Sequence, residues 1–148
     1  MIQQLDNNEF QSLSVLITTT VKECIGAGND ALELIIEDSI LCSKRWLDGE
    51  LEGIHLVYKH DGKVVGTILI IDFWNMANLF VLPDYHGKGI ATELVNEALI
   101  LCKNKFPKGF IKLNSSSFAS NFYKNYGFIP NGEPKELPGG CIPYIYNF

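Results

Sequence analysis

The sequence predicts one α/β (α+β) domain over residues 1–148, with elements in the order βααβββαβαββ. Three observations carry this. Apolar residues recur at spacings of three and four through the first third of the chain, the period changes to alternation at Gly53, and a twin-glycine turn at Gly87 and Gly89 joins an apolar strand to another helical pattern. A chain of 148 residues can bury a sizeable core without metal or disulfide support.

Residues 2–5 read as a short first strand. Asp6 and Glu9 have the spacing of a capping box, and Phe10, Leu13, Ile17, Val21 and Cys24 then share one face of a helix that Gly26 and Gly28 end. Asp30 with Glu33 opens a second helix, its buried side formed by Leu32, Ile35, Ile36, Ser39 and Ile40. It is expected to stop near Cys42, leaving 43–49 as a polar connection anchored by Trp46. From Gly53, Ile54, Leu56 and Tyr58 point one way and His55, Val57 and Lys59 the other. Asp61-Gly62 is a two-residue hairpin turn that demands positive φ. Residues 63–72 are apolar on both faces, as in a central strand, and Gly66 marks a bulge or a close backbone approach.

After a turn over 73–76, residues 77–82 form the strand that delivers the twin-glycine turn. Ile90, Leu94, Val95, Ala98, Leu101 and Cys102 make the apolar stripe of the helix behind it, closed by Pro107 and Gly109. A strand over 110–113 follows. Asn114 and Ser115 to Ser117 can cap a short helix that runs to Tyr126, and Gly127 ends it. Strands over 128–132 and 141–147 flank the turn Pro138-Gly139-Gly140.

Hydrophobic content of 47% against 20% charged residues indicates a compact chain. The longest apolar run is too short to cross a bilayer and the amino terminus has no leader pattern, so a cytoplasmic protein without membrane attachment is expected. Cys24, Cys42, Cys102 and Cys141 are widely spaced with no His at ligand distance, which reads as buried thiols in a reducing compartment and predicts no metal. A net charge of −5 disfavours nucleic acid and leans toward cationic small molecules.

The twin-glycine turn is chemically informative. The first N–H groups of a helix lack intrahelical partners, and the aligned peptide dipoles place roughly half a positive charge there, so a phosphate or pyrophosphate suits the site. Lys88 adds a full charge. Sterics alone could also require glycine at such a turn. The stretch resembles the acyl-CoA loop of the GNAT superfamily of N-acetyltransferases, which reads Arg or Gln, two residues, Gly, one residue, then Gly or Ala. His86, Gly89 and Ala91 occupy those places after Leu79-Phe80-Val81-Leu82-Pro83, and His86 departs from the usual Arg or Gln. A second segment, Phe122-Tyr123-Lys124-Asn125-Tyr126-Gly127-Phe128, resembles the late GNAT helix bearing Phe-Tyr-x-x-x-Gly-Phe.

The resemblance implies a mixed, mostly antiparallel sheet of about six to seven strands with about four helices, splayed between strands 4 and 5. It implies acetyl-CoA as co-substrate and an amine as acceptor, with homodimers common among relatives. Backbone groups of Leu79, Phe80 and Val81 would bond the pantetheine arm, the Val81 or Phe80 N–H facing the thioester carbonyl. Gly87, Lys88, Gly89, Ile90, Ala91 and Thr92 would hold the pyrophosphate. Many relatives carry Asn seven residues before the tyrosine, bonding the pantetheine. Ser116 stands there in this chain, and Ser116 or Asn114 would supply that bond.

The resemblance makes Tyr123 the general acid for the departing thiolate, since a phenol with a reference pKa of about 10 is protonated at neutral pH. Spacing alone gives a packed aromatic. Asp72, His55 and Glu52 are candidates for the general base, each also readable as an ordinary surface or turn residue, and a water could serve instead. His60 reads as solvated. Trp74, Trp46 and Phe73 could line an acceptor pocket or belong to the core. The competing function is a non-catalytic module that binds acyl-CoA as ligand or sensor. A nucleotide-binding loop is disfavoured because no Gly-Lys-Ser/Thr ending is present.

Overall fold

The computed structural model describes residues 1–105 and 108–148. Strand β1 (Ile2–Gln4) leads through a 3-10 turn (Asn7–Glu9) into α1 (Phe10–Cys24) and then α2 (Asn29–Leu47). The meander β2 (Gly53–His60), β3 (Lys63–Ile71) and β4 (Asn75–Val81) follows. The remaining elements are α3 (Ile90–Lys103), β5 (Phe110–Ser115), α4 (Ser120–Tyr126), β6 (Ile129–Pro130) and β7 (Ile142–Asn147). The seven strands form one open sheet in the order β1-β2-β3-β4-β5-β7-β6, antiparallel except where β4 meets β5.

That parallel junction positions the site. Strands β4 and β5 share a single paired position, Asn75 with Lys112, reinforced by the Lys112 N–H donating to Trp74 O at 2.8 Å. Beyond it the strands part, and among the described residues the rest of β4 has no strand partner on that side. Strand β3 is buried from Val64 to Ile70 because helices cover both its faces, α1 on one and α3 on the other. Gly66 is the close approach expected of it: a β-carbon there would stand 3.1 Å from Ile90 Cγ2 and 3.1 Å from Leu94 Cδ1.

The capping box is present. Asp6 accepts from Asn8 N–H, and the Glu9 carboxylate accepts from the Asp6 N–H at 3.0 Å. Glu9 is buried and also takes Lys59 Nζ at 2.8 Å, which ties the start of α1 to β2.

Several expectations need correction. Helix α2 runs on to Leu47 rather than stopping near Cys42, because Ser43 turns inward to the core and Lys44 and Arg45 are good helix formers at a C-terminus. Gly28, not Asp30, is its N-cap. On α3 the buried stripe takes Leu99, while Leu101 is 38% exposed. Helix α3 already ends at Lys103, and the Pro107 assigned to its closure lies outside the described residues. The turn before β4 is tighter than expected, with Asp72 and Phe73 at φ 53° and 62°, so β4 starts at Asn75. Strand β5 reaches Ser115 through its pairing with Ile142, and β6 shrinks to Ile129–Pro130. No helix among the described residues is long and apolar enough to cross a membrane.

Candidate functional site

Strand β4 carries a bulge that prepares the site. Leu69 faces Asn78 and Ile70 faces Met76, so Ala77 has no opposite number on β3. An extra residue of this kind bends a strand and re-aims its side chains. At the other end of β4, the Leu82 N–H donates to Val65 O at 2.9 Å. Strand alternation therefore turns the backbone groups of Phe80 toward β3 and those of Leu79 and Val81 to the open side of the splay. The Val81 carbonyl takes the His86 imidazole there at 2.6 Å.

The chain next makes a 3-10 turn (Pro83–Tyr85) and passes Gly87 and Gly89 at φ 75° and 80°. Side chains other than glycine are strained in that conformation. Gly89 is the N-cap of α3, and no side chain caps the helix, so its first N–H groups are left for a ligand. Leu79, Phe80, Val81, Gly87, Gly89, Ile90, Ala91, Thr92, Ser116 and Tyr123 are brought together around one cleft of about 480 Å³. Lys88 does not line it and sits with Nζ 5.0 Å from the centre of the Tyr85 ring. Asn114 is exposed and borders a second cavity instead.

Helix α4 explains why Phe-Tyr-x-x-x-Gly-Phe recurs as a unit. The Phe128 N–H reaches back to Tyr123 O at 3.0 Å, and Gly127, at φ 123°, makes the reversal possible. This is a Schellman ending, in which an apolar contact spans the same two residues. Here the Tyr123 and Phe128 rings stand 5.5 Å apart. Tyr144, fully buried and held by Ser120 Oγ at 2.5 Å, backs Tyr123 with ring centres 6.1 Å apart. The phenol is thereby fixed, and among the described residues its one hydrogen-bond contact is Met76 Sδ at 3.9 Å. Burial pushes its pKa well above the ordinary tyrosine value.

Tyr123 borders a second cavity of about 210 Å³, which Leu79 and Phe80 also line. Ile35, Ser39, Met76 and the turn Pro138-Gly139-Gly140 enclose it, with the Ser117 N–H donating to Gly139 O at 3.0 Å. Ser116 borders both cavities, and its Oγ accepts the Ala119 N–H at 3.2 Å, so its own proton remains free to donate.

Other candidates lie elsewhere. His55 is fully buried, with Nδ1 3.1 Å from Ile68 O and Nε2 2.8 Å from Ser43 Oγ. Burial lowers its pKa to about 4, against the weaker raising effect of the Ile68 carbonyl, so it is a neutral core residue. Asp72 and Glu52 are exposed and border neither cavity at Tyr123. Trp46 donates to Gly53 O at 3.2 Å and, with Phe73, lines a separate open depression, while Trp74 packs on Phe110. The sequence reading missed Thr20, Cys24 and Ile25, which α1 and the residue after it bring to the cleft. A polar Thr20 within the apolar stripe of Ile17 and Val21 was the available signal.

A family model described as Acetyltransferase (GNAT) domain matches residues 41–141. Protein ElaA of Escherichia coli is 25% identical over 100 residues, which are 68% of this chain and 60% of that protein. The chain thus covers less than two thirds of this curated relative. A PaiA N-acetyltransferase from Thermoplasma acidophilum, solved in complex with coenzyme A, superposes with a TM-score of 0.81 at 19% identity, covering 100% of this chain and 98% of that one. The crystal structure of Escherichia coli ElaA gives 0.68 at 20% identity, covering 98% and 97%. With the family match spanning more than half of the sequence, on a sheet splayed between β4 and β5, the chain belongs to the GNAT superfamily of acetyltransferases.

Proposed function

We propose that the protein is an acetyl-CoA-dependent N-acetyltransferase that moves the acetyl group to a primary amine of a small molecule, protein or peptide by direct attack. One observation carries this: a single buried phenol, Tyr123, borders both the cleft of the coenzyme type and the smaller cavity behind it. The coenzyme A complex of the Thermoplasma acidophilum neighbour supports reading the larger cleft as the coenzyme site.

In this reading the amides of Gly87, Lys88, Gly89, Ile90, Ala91 and Thr92 hold the diphosphate at the start of α3, Lys88 adding charge from outside the cleft. The pantetheine arm lies along the unpartnered side of β4, bonding Leu79 and Val81 as an added strand would, with a further bond from the Ser116 hydroxyl or from Asn114. The N–H groups of Leu79 and Val81, rather than that of Phe80, are available to the carbonyl oxygen as negative charge develops on it. Tyr123 gives its proton to the departing sulfur. Desolvation raises the proton affinity of a thiolate in the same place, so the proton moves late, when charge has accumulated there.

The amine enters from the second cavity. Among the described residues lining that cavity there is no carboxylate and no imidazole, so the amine arrives as its free base, its nitrogen gives up a proton to water once the C–N bond has formed, and water returns a proton to the Tyr123 phenolate after the C–S bond has broken. The test is release of free CoA thiol when acetyl-CoA meets a panel of amines. Thiol release with at least one amine supports the enzyme. Heat of acetyl-CoA binding without thiol release from any amine overturns it in favour of an acyl-CoA sensor.

A further inference from the structure

Thr20 has a buried hydroxyl with no hydrogen-bond partner, the one such side-chain atom among the described residues. The residue is 6% exposed and lies on α1, one turn before Cys24, with both residues facing the large cleft. A helical threonine can satisfy itself on the carbonyl four residues back. Ser14 does so on the same helix, bonding Phe10 O at 2.9 Å, and Thr20 does not. Leaving a buried hydroxyl unpaired is destabilising, and a valine of the same shape would avoid that penalty.

We propose that Thr20 binds the pantetheine arm of the coenzyme, its hydroxyl bonding an amide of the arm across the cleft from Leu79 and Val81. This rests on the coenzyme reading given above. Helix α1 packs over β3 and β4, so Thr20 stands beside the stretch of β4 whose backbone turns to the open side. Of the other residues that line the cleft, Ile25, Phe80 and Phe122 offer no side-chain hydrogen bond to an amide. The arm carries two amides in a row, and a hydroxyl can donate to the carbonyl of one or accept from its N–H. In the empty protein the Thr20 oxygen is closed off from solvent, so the bond requires a turn about χ1 that brings the hydroxyl to the cleft, where the ligand supplies the partner it lacks.

Two substitutions and two ligands test it. Thr20→Val keeps the shape and removes the hydroxyl, while Thr20→Ser keeps the hydroxyl. Calorimetry with coenzyme A is expected to show dissociation weakened about tenfold in Thr20→Val and changed less than about threefold in Thr20→Ser. Adenosine 3′,5′-bisphosphate, which lacks the arm, should bind wild type and Thr20→Val equally. The ligand-free melting temperature of Thr20→Val should equal or exceed that of wild type, since an unpaired buried hydroxyl has gone. Unchanged coenzyme affinity, an equal loss with the bisphosphate, or a lowered ligand-free melting temperature each overturns the assignment to the arm. Absence of heat with wild type and coenzyme A overturns the coenzyme reading itself, and this proposal with it.

Discussion

The His86 imidazole Nε2 lies 2.6 Å from the carbonyl oxygen of Val81, so the loop before α3 is pinned to the very strand that ends beneath it. An Arg or Gln side chain at this place could make the same donation, which is why the departure from the family pattern leaves the loop intact. His86→Gln is expected to keep coenzyme A affinity within about threefold. His86→Ala, which leaves the Val81 oxygen without that donor, should weaken it about tenfold by calorimetry. Equal affinities for the alanine variant and wild type would remove His86 from the cradle.

Tyr123→Phe deletes a hydroxyl whose one hydrogen-bond contact among the described residues is a thioether at 3.9 Å, and leaves the ring against Phe128 and Tyr144. Turnover should fall by about tenfold or more while coenzyme A affinity and the melting temperature barely move. Undiminished turnover would mean that another group protonates the sulfur.

His55 predicts an acid-sensitive core. Its pKa is depressed to about 4 in the folded protein and is about 6.5 when unfolded, so between these values the unfolded chain binds more protons. Stability is therefore full above pH 6.5 and falls as the pH drops toward 4. The loss attributable to His55 is about 2 kcal/mol by pH 5. Urea denaturation of wild type and His55→Gln at pH 7 and pH 5 should show a steeper loss in wild type. Parallel losses would refute the assignment.

Gly66→Ala places a β-carbon 3.1 Å from Ile90 Cγ2 and Leu94 Cδ1. Overpacking of this kind costs about 1–3 kcal/mol. Because Ile90 is the first residue of α3, the displaced turn should also weaken coenzyme A binding. A variant as stable as wild type that binds normally would show that α3 can shift without disturbing its first amides.

The element order was legible because each element has its own local signal, such as Asp6 with Glu9 or Asp61-Gly62. Boundaries failed where tertiary contact decided them: Ser43 belongs to α2 because His55 waits for it across the core, and Lys44 and Arg45, though good helix formers, read equally as a polar connection until that contact is known. The glycines and Tyr123 were legible as a motif. Thr20 was not, since a lone hydroxyl on an apolar stripe acquires meaning only when its surroundings are known to lack a partner. His55 misled in the opposite sense, because a titratable side chain on a strand looks the same whether it faces a substrate or a serine.

The two halves of the sheet meet along a seam of hardly more than Trp74 and Asn75 against Lys112. Mechanically this is a pair of tongs pivoted at one end, with β1 to β4 as one jaw and β5 to β7 as the other. Whatever lodges between the jaws stiffens both at once, so amide exchange along Ile142–Asn147 should slow on loading even though the cleft is lined by other elements. Occupancy would then be audible at the opposite margin of the molecule, in strands that never meet the guest.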